Sequence, residues 1–467
     1  MSASLLAQES TGGAIARKGF GYQDAFMLQH IPLWLSQGAF SHAVSEAVGD
    51  IEVFYFAPGG KTKRVLYEAK DHRLTASEFW KEVADFKKAH DASPTEFLRF
   101  VLLCKEFNSE TTPLVAMLGR LRGVGSAYDD GSSVLEGTRE GITNWVQKKG
   151  QSAEMAEFVM NHVEFAPYSG EHATSAFAGE VEKHLPSINL RSNEIALFRS
   201  TCEQLIKGSS LGPVYRADIE EALMKTLGAG SADWLATPND LLLEPTNVRA
   251  EDLGLVVGDF NGPDRSALTH QSWSELGAAA REVGNFIKGS RPRATIALSG
   301  KQRMSLSCLL GYAFSATRGF ILDIDHNGHH YRTDDHAKAA GSFFKEEQRA
   351  GASGIQEAVV CIGFPTPVGA DVDMGSGSTL NSLSRLDLTS TQAVDSMATL
   401  NTAVAEAKTA LMRFRSEQKL IRVHLFLKAP SFFAMALGHR LNAAGLVQLY
   451  DWVDGKYLST AVLGDTA

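Results

Sequence analysis

Three residues near the start of the chain, Asp50, Glu68 and Lys70, have the types and spacing for metal-assisted chemistry. Glu68 and Lys70 are two positions apart, so on a β-strand their side chains share a face. A Pro-Gly-Gly turn at 58–60 would fold the chain into a hairpin and bring Asp50 to the same edge. Two carboxylates can hold Mg²⁺, an ion that prefers oxygen ligands and acidifies a bound water. Lys70, kept protonated by its acidic neighbours, would stabilise developing negative charge first and act as a base second.

This arrangement has the form of the PD-(D/E)xK nuclease motif, with an acid at the start of one strand and an acid and a lysine on its neighbour. The spacing alone is weakly specific, and a solvated hairpin with a Glu68–Lys70 pair is the alternative. The order of the surrounding elements favours the nuclease interpretation. Gln23 on the first predicted helix and Glu46 before Asp50 are further candidates, for which a plain surface position is at least as good an interpretation.

The elements around these residues are predicted from hydrophobic periodicity and turn residues. A helix with an apolar stripe covers 20–38, and Thr75 or Ser77 can cap a second helix after the hairpin. The predicted strands are 41–47, 50–57, 63–72 and the largely apolar 97–105. This order of helix, three meandering strands, helix and strand predicts an α/β, restriction-endonuclease-like mixed-sheet core, which we place within residues 1–150.

The rest of the chain divides into two further regions. Residues 151–245 have a less regular, mostly helical pattern and are interpreted as a helical connector or extension. Strand–helix alternation then returns, so we expect a third domain over 246–467, with halves at about 246–368 and 390–467. Within it, Asn327-Gly328 between two short strands is a strong hairpin signal.

The C-terminal region contains a weak internal duplication, in which one half aligns with the other 127 residues later. Lys301 aligns with Lys428, each at the end of an apolar strand, and Gly311 aligns with Gly438 in the following helix. Ligands bind beyond the carboxyl ends of strands in open α/β sheets, and helix N-termini favour anions. The two lysines would therefore share one basic pocket. Chance alignment of repeated strand–helix units is an equal alternative.

Bulk composition limits the classes of function. The formal net charge of -9 and the pI near 5.9 exclude a dedicated DNA-coating protein, so any contact with nucleic acid must be local. The four cysteines are far apart and form no Cys/His cluster, so buried, reduced thiols are expected rather than structural zinc. Because the N-terminus lacks a signal-peptide pattern and no apolar run is long enough for a membrane span, we expect a cytoplasmic protein.

Longer segments resemble a known family. The stretch ESTGGAIARKGFGYQDAFMLQHIPLWL, followed by EAVGDIEVFYF and VLYEAKDH, resembles the nuclease domain of bacterial anti-phage effectors. The segments TIALSGKQRMSLSCLLGYAF and VHLFLKAPSFFAMALGHRLNAAGLVQLYDW resemble the SAVED sensor domain that such effectors carry. The whole chain is therefore similar to the CD-NTase-associated SAVED endonucleases of CBASS defence operons.

The resemblance implies a fold, an activity and partners. It implies a SAVED domain of two fused CARF-like, Rossmann-like halves, which fits the duplication. It also implies a CD-NTase as functional partner and a cyclic oligonucleotide, typically a cyclic trinucleotide, as activator. Ligand binding would drive self-assembly and switch on cleavage of double-stranded DNA with Mg²⁺ or Mn²⁺. A nucleotide-sensing scaffold and an RNA-directed nuclease with the same sensor are the alternatives.

The resemblance also assigns residues by position. Asp50, Glu68 and Lys70 match the nuclease motif, and Gln23 matches the family's glutamine on the first helix. The match is looser in the sensor domain, where the residues expected to face ligand phosphates at strand ends are Ser299, Lys301, Gln302, Arg303 and Lys428. Base stacking suits flat aromatic faces, so the stacking candidates are Tyr450 and Trp452, although a core position is the better explanation for each taken singly.

Overall fold

A computed structural model describes residues 21–45, 49–125, 128, 132–170, 174–208, 212–263, 268–375 and 378–464. The chain divides into two compact units, Met1–Ser231 and Ala232–Ala467. Both units combine helices with mixed sheets, which confirms the predicted α/β class. Among the described helices, none is long and apolar enough to cross a membrane. The four cysteines are free and buried, as the composition predicts.

In the part of the first unit that the structure describes, six strands form a mixed sheet that is accompanied by helices. Its strands are β1 (Phe40–Ser45), β2 (Ile51–Ala57), β3 (Lys61–Leu74), β4 (Phe97–Phe107), β5 (Val163–Pro167) and β6 (Pro213–Tyr215). Its helices are α1 (21–36), α2 (Ala76–Ala92), α3 (Thr112–Gly125), α4 (Ser133–Lys148), α5 (Ala153–His162), α6 (Thr174–His184), α7 (Ser192–Gly208) and α8 (Arg216–Leu227). The strands lie in the order β5-β4-β3-β2-β1-β6. β1, β2 and β3 form an antiparallel meander, whereas β4 runs parallel to both β3 and β5.

The predicted order of helix, meander, helix and strand is confirmed by α1 to β4. Two short strands differ from the prediction, because β5 and β6 lie in the stretch 151–245 that the sequence predicts to be a helical connector. β5 pairs with β4 and β6 pairs with β1, so this stretch supplies both edges of the sheet. Strands of five and three residues carry too little periodicity to be recognised in a sequence.

Helix α2 begins at a capping box, and Thr75 rather than Ser77 is its cap. The Thr75 hydroxyl accepts a hydrogen bond from Glu78 N at 3.3 Å, and Glu78 Oε2 accepts one from Thr75 N at 2.9 Å. These bonds satisfy backbone donors that the first helical turn leaves unpaired. The register set by this cap places Glu82 on the buried face of α2, beside apolar residues such as Val83.

Helix α1 is held at its C-terminal end by a buried arginine from much later in the chain. Arg216 donates from Nη1 to Gln37 O at 2.8 Å and from Nη2 to Leu35 O at 2.7 Å. Its Nε donates to Glu220 Oε1 at 3.2 Å, and both side chains of this pair are buried. Since the last carbonyls of a helix have no partner within the helix, Arg216 satisfies groups that burial would otherwise leave unpaired.

Within its described residues, the second unit contains a four-stranded, a six-stranded and a two-stranded sheet. Its strands are β7 (Asn239–Asp240), β8 (Leu242–Glu244), β9 (Gly254–Val256), β10 (Thr295–Ser299), β11 (Ile321–His326), β12 (His329–Arg332), β13 (Lys345–Arg349), β14 (Glu357–Gly363), β15 (Ser384–Thr389), β16 (Arg422–Lys428), β17 (Leu446–Val453) and β18 (Lys456–Leu463). Its helices are α9 (Ser231–Ala236), which begins at the boundary, α10 (Gly258–Asn261), α11 (His270–Ser290), α12 (Met304–Ala313), α13 (Gly369–Gly375), α14 (Ser378–Asn381), α15 (Met397–Gln418) and α16 (Ser431–Arg440). The strand orders are β12-β11-β10-β7, β13-β15-β14-β16-β17-β18 and β8-β9.

The internal duplication is present in the structure as a repeated strand–helix–hairpin unit. β16, α16 and β18 each begin 127 residues after β10, α12 and β12, at Arg422 against Thr295, Ser431 against Met304, and Lys456 against His329. The hairpins also match, because Asn327-Gly328 and Asp454-Gly455 both have positive φ angles. The structure therefore favours a true duplication over a chance alignment of two lysines.

The boundary between the two halves lies earlier than the sequence predicts. β13 and β14 fall within the predicted first half, 246–368, yet they belong to the same sheet as β16. β14 pairs in parallel with both β15 and β16, with Glu357 opposite Arg422. A run of apolar residues predicts a strand but does not reveal which strands become its neighbours, so only the folded chain shows this assignment.

Two glycines allow the repeated helices α12 and α16 to cross in close contact. A Cβ atom on Gly311 would overlap the carbonyl oxygen of Met435, and a Cβ on Gly438 would overlap the carbonyl oxygen of Cys308. Met435 follows Cys308 by the same 127 residues that separate the two glycines, so the contact has approximate two-fold symmetry. Small residues at such a crossing let the two backbones approach each other.

We expect Gly311→Ala to destabilise the second unit, because the new methyl group overlaps a helix backbone that cannot move without displacing α16. Overpacking of this kind costs about 1–3 kcal/mol. Gly289→Ala is the matched control, since Gly289 lies in a helix with nothing near its Cβ position. Thermal unfolding followed by circular dichroism should show a clearly lower Tm for Gly311→Ala only. Equal Tm values for the two variants would contradict the close crossing.

Candidate functional site

Asp50, Glu68 and Lys70 meet at the edge shared by β2 and β3. Asp50 directly precedes β2, whose first residue, Ile51, lies opposite Tyr67 in the antiparallel ladder. The Asp50 carboxylate accepts a hydrogen bond from Ala69 N at 2.6 Å, between the two motif residues of β3. This bond holds the Asp50 carboxylate beside Glu68, as the sequence predicts from the hairpin and the alternation of side chains.

A second acid completes the surroundings of the lysine. Lys70 Nζ donates to Glu68 Oε1 at 2.5 Å and lies 3.4 Å from Glu82 Oε1 on α2. Both carboxylates are largely buried, with side chains 18% and 11% exposed. Glu82 is not among the residues predicted from the sequence. The sequence pattern that could have identified Glu82 is an acidic residue at helical spacing within the apolar face of α2, which residues such as Phe79 and Phe86 form.

Opposing effects act on the pKa values of both Glu68 and Lys70, and in each case the net result is a raised pKa. Burial and then the charge of Asp50 raise the pKa of Glu68, and the hydrogen bond from Lys70 only partly offsets them. Burial lowers the pKa of Lys70, but its hydrogen bond to Glu68 and the charges of Glu68, Glu82 and Asp50 outweigh burial and raise it. Lys70 is therefore a fixed cation at neutral pH, next to carboxylates that repel one another.

The donor chemistry fits a divalent cation of the Mg²⁺ class at Asp50 and Glu68. The two carboxylates supply oxygen ligands, and their mutual repulsion is what a bound cation would relieve. Mg²⁺ usually keeps several waters and takes only one or two protein carboxylates, so two suffice. In the described part of the chain, no group of three or more His, Cys, Asp or Glu side chains is arranged to hold a metal.

Gln23 lies on helix α1. Helix α1, which carries it, packs on the face of β3 where Phe26 meets Tyr67, with ring centroids 5.1 Å apart. Side chains alternate along a strand, so Glu68 and Lys70 face the opposite side, toward α2. The Gln23 side chain is buried, and its Oε1 has no hydrogen-bond partner among the described residues. Its part in the chemistry remains a prediction, and Glu46 falls outside the described residues.

In the second unit, the two lysine-bearing loops lie side by side. Lys301 follows β10 and Lys428 ends β16. The Ser431 hydroxyl donates a hydrogen bond to Gly300 O, which joins the loop after β10 to the start of α16. Lys428 Nζ donates to Asp371 Oδ2 at 2.7 Å, so an acidic residue already neutralises one of the two lysines.

The other polar candidates are tied to the loop before α12. Ser299 Oγ accepts a hydrogen bond from Lys301 N at 3.3 Å. Asn261 contacts both remaining residues, since its side-chain amide donates to Gln302 Oε1 and its Oδ1 accepts from Arg303 N at 3.0 Å. The four residues Ser299 to Arg303 that the sequence singled out therefore form one ordered turn at the carboxyl end of β10.

The two aromatic candidates differ in exposure. Tyr450 stacks on Phe426 with centroids 4.2 Å apart, its hydroxyl is 2.8 Å from His424 Nδ1, and burial raises its pKa to about 12. Trp452 is 44% exposed and packs edge-on against Tyr457. Tyr450 is thus largely committed to the packing of the sheet, whereas Trp452 retains an exposed aromatic surface on which a base can stack.

Comparisons with known families agree with the two units. Residues 11–208 match the family described as "Cap4, dsDNA endonuclease domain", and residues 279–463 match SAVED, the "SMODS-associated and fused to various effectors sensor domain". These matches define the class of protein: a double-stranded DNA endonuclease domain joined to a SAVED sensor domain. The resemblance stated from the sequence is confirmed.

Full-length relatives show the family more narrowly. CD-NTase-associated protein 4 of Moraxella osloensis is 48% identical over 466 residues, which cover 99% of this chain and 100% of the relative. The protein of the same name from an Acinetobacter species is 49% identical over 466 residues, with the same coverage. The chain belongs to the CD-NTase-associated protein 4 family.

Solved structures give the same result in three dimensions. The Acinetobacter baumannii Cap4 SAVED/CARF-domain containing receptor with the cyclic trinucleotide 2'3'3'-cAAA is similar with a TM-score of 0.89 and 45% identity, covering 96% of this chain and 99% of that one. The Moraxella osloensis Cap4 SAVED/CARF-domain containing receptor has a TM-score of 0.84 and 44% identity, covering 96% and 100%. These neighbours confirm the predicted SAVED architecture of the second unit.

We expect Glu68→Gln to raise the Tm at about pH 8 in EDTA, because it removes a charge that burial and Asp50 disfavour. A raised pKa means that the folded state is penalised above that pKa and relieved as the pH falls through it. The gain in Tm should therefore shrink toward about pH 5.

Glu78→Gln is the control with the opposite sign, because hydrogen bonds from the Thr75 backbone and side chain lower the pKa of Glu78. The stability that Glu78 contributes is present above its unfolded pKa and is lost as the pH falls, so this variant should have a lower Tm at about pH 8. Parallel pH profiles for the two variants would contradict the electrostatics described for Glu68.

Proposed function

We propose that this protein is a metal-dependent endonuclease that degrades double-stranded DNA when its SAVED unit binds a cyclic oligonucleotide. The observation that carries the proposal is the meeting of Asp50, Glu68 and Lys70 at one sheet edge, within the unit that matches the double-stranded DNA endonuclease family. The second support is the sensor, since the similar Acinetobacter baumannii receptor was solved with cyclic trinucleotides.

The motif residues have distinct tasks in phosphodiester hydrolysis. Asp50 and Glu68 would hold Mg²⁺ or Mn²⁺, which supplies positive charge to the scissile phosphate and lowers the pKa of a bound water. Lys70, held cationic by three acids, positions the attacking water and stabilises the negative charge that develops on the phosphate. Glu82 keeps Lys70 protonated and oriented from the α2 side.

The sensor residues supply an anion-binding surface at the carboxyl ends of β10 and β16. Lys301 and Arg303 belong to the turn before α12, and Lys428 shares its charge with Asp371 until an anionic ligand competes for it. We assign Ser299 and Gln302 to hydrogen bonds with the ligand, Trp452 to stacking on a base, and Tyr450 to the support of that face.

Activation follows from a difference in affinity between two states. A ligand shifts an equilibrium only by what it binds differently in each state, so the cyclic oligonucleotide must favour an active, self-assembled form. The net charge of -9 opposes DNA binding by a single copy, and assembly would concentrate the local positive groups of several copies. The protein is assigned to cytoplasmic anti-phage defence together with a CD-NTase.

Lys70→Ala should reduce plasmid cleavage by roughly 10²–10³-fold, because it removes the cation that stabilises the developing charge. The assay contains Mg²⁺ and is run without ligand and with a panel of cyclic di- and trinucleotides. Lys61→Ala is the matched control, since Lys61 is an exposed residue of the same strand. Undiminished cleavage by Lys70→Ala would remove Lys70 from the mechanism, and cleavage of RNA but not DNA would favour the RNA-directed alternative.

The variant Lys301→Ala/Lys428→Ala should bind a cyclic trinucleotide at least tenfold more weakly and lose activation, because two cations near the ligand phosphates are removed. Binding is measured by calorimetry, and circular dichroism checks that both units remain folded. Lys345→Ala is the control for loss of charge, because Lys345 lies on β13, an edge strand of the sheet that contains Lys428. Normal activation of the double variant would overturn the assignment of the basic pocket.

A further inference from the structure

A cavity of about 260 Å³ lies in the second unit, at the seam between its two repeats. One wall comes from α11 and from Leu309 of α12, in the first repeat. The other wall comes from β16, β17 and β18, in the second repeat. The lining residues are His270, Trp273, Ser274, Gly277, Arg281, Leu309, Arg422, Gln448 and Val462. None of the assigned nuclease or sensor residues belongs to this lining.

The charge of the cavity is one-sided. Arg281, Arg422 and His270 line it, and its described lining contains no aspartate or glutamate. Arg422 Nε is buried without a hydrogen-bond partner in the described part of the chain. Leaving a buried donor unpaired is unfavourable, and more so for a charged group. The cavity is therefore lined by two arginines, with no acidic side chain in its described lining.

Two buried arginines of this protein, Arg216 and Arg385, donate to acidic side chains. The Arg216 side chain donates to Glu220 and to two backbone carbonyls. Arg385 donates to Asp387 at 2.6 Å and to Asp373 at 2.9 Å. Arg64 and Arg293 also have a buried Nε without a hydrogen-bond partner among the described residues. What distinguishes Arg422 is that it lines a cavity together with Arg281, and the described lining of that cavity contains no acid that could pair with either guanidinium.

The cavity is separate from the basic turn that faces the sensor ligand. Arg422 is the first residue and Lys428 the last of the seven-residue strand β16, so they lie roughly 20 Å apart along the strand. His270 is the first residue of the 21-residue helix α11, whose N-terminal end adds partial positive charge. The cavity thus lies at the amino ends of the parallel strands, opposite the edge that carries Lys301 and Lys428.

We infer that this cavity binds a phosphoryl group, either as free inorganic phosphate or as the phosphate of a small nucleotide. The planar fork of an arginine matches phosphate oxygens in pairs, and two such forks with a histidine at a helix N-terminus suit a tetrahedral dianion. Trp273 and Gln448 are almost fully buried and form walls that fix the width of the site. Because both repeats line the cavity, a bound phosphate joins them and stabilises the second unit.

The test measures the Tm of the full chain with millimolar inorganic phosphate, pyrophosphate or AMP, against acetate at equal ionic strength. At least one phosphate should raise the Tm of the wild type, by mass action on the folded state. A rise in Tm with inorganic phosphate alone would identify the free ion as the ligand. A larger rise in Tm with AMP would identify a nucleotide as the ligand. Arg281→Gln and Arg422→Gln should weaken this binding roughly tenfold or more. Arg332→Gln, in an exposed ion pair with Asp334, should leave it unchanged.

Stability without phosphate and chemical protection of the arginines provide two further tests of the phosphate site. Arg422→Gln should fold at least as stably as the wild type without phosphate, because it removes a buried Nε donor that has no hydrogen-bond partner among the described residues. On the wild type, phosphate should protect Arg281 and Arg422, but not Arg332, from phenylglyoxal, as mapped by mass spectrometry. Binding of a cyclic trinucleotide should be unchanged in both arginine variants. No phosphate-dependent shift, equal protection of all three arginines, or loss of cyclic-trinucleotide binding would each overturn a separate phosphate site.

Discussion

The close crossing of α12 and α16 is the constraint on which the sensor unit depends. The two helices touch through backbone at Gly311 and Gly438, so the contact tolerates no side chain at either position. Each helix follows directly from a strand end that carries a lysine, and the crossing therefore fixes the distance between those ends. A duplicated unit needs only one such self-complementary contact to place its two binding turns in a defined relation.

The nuclease unit depends on a different kind of constraint, which is electrostatic. The backbone N–H of Ala69 holds the Asp50 carboxylate next to Glu68, although burial and like charge disfavour two carboxylates there. Lys70 offsets part of this repulsion, and Glu82 holds the lysine in place. The cluster is thus under strain before any cation binds, which is a common property of sites built to bind metal and act on phosphate.

The second unit carries positive charge at both ends of its parallel strands, within a chain whose net charge is negative. At the carboxyl ends the charges of Lys301 and Arg303 lie on exposed turns, and Asp371 shares the charge of Lys428. At the amino ends Arg281 and Arg422 line a cavity between the repeats. The exposed carboxyl ends are suited to reversible binding of a large ligand. The cavity at the amino ends is suited to a small anion that joins the two halves.

The sequence by itself determined the local features of this protein. Alternation on β3 placed Glu68 and Lys70 on one face, the turn residues defined the hairpins, and the 127-residue duplication predicted two similar halves. These features depend on neighbours close in the chain, which periodicity records. Only the tertiary structure showed that β5 and β6 complete the first sheet, that β14 joins the sheet of β16, and that Glu82 reaches Lys70. It also showed that the helix of Gln23 contacts β3 where Phe26 meets Tyr67, and assembled the cavity of Arg281 and Arg422 from distant segments. Contacts between segments far apart in the chain are set by the packing of whole elements, for which a single sequence carries no local signal.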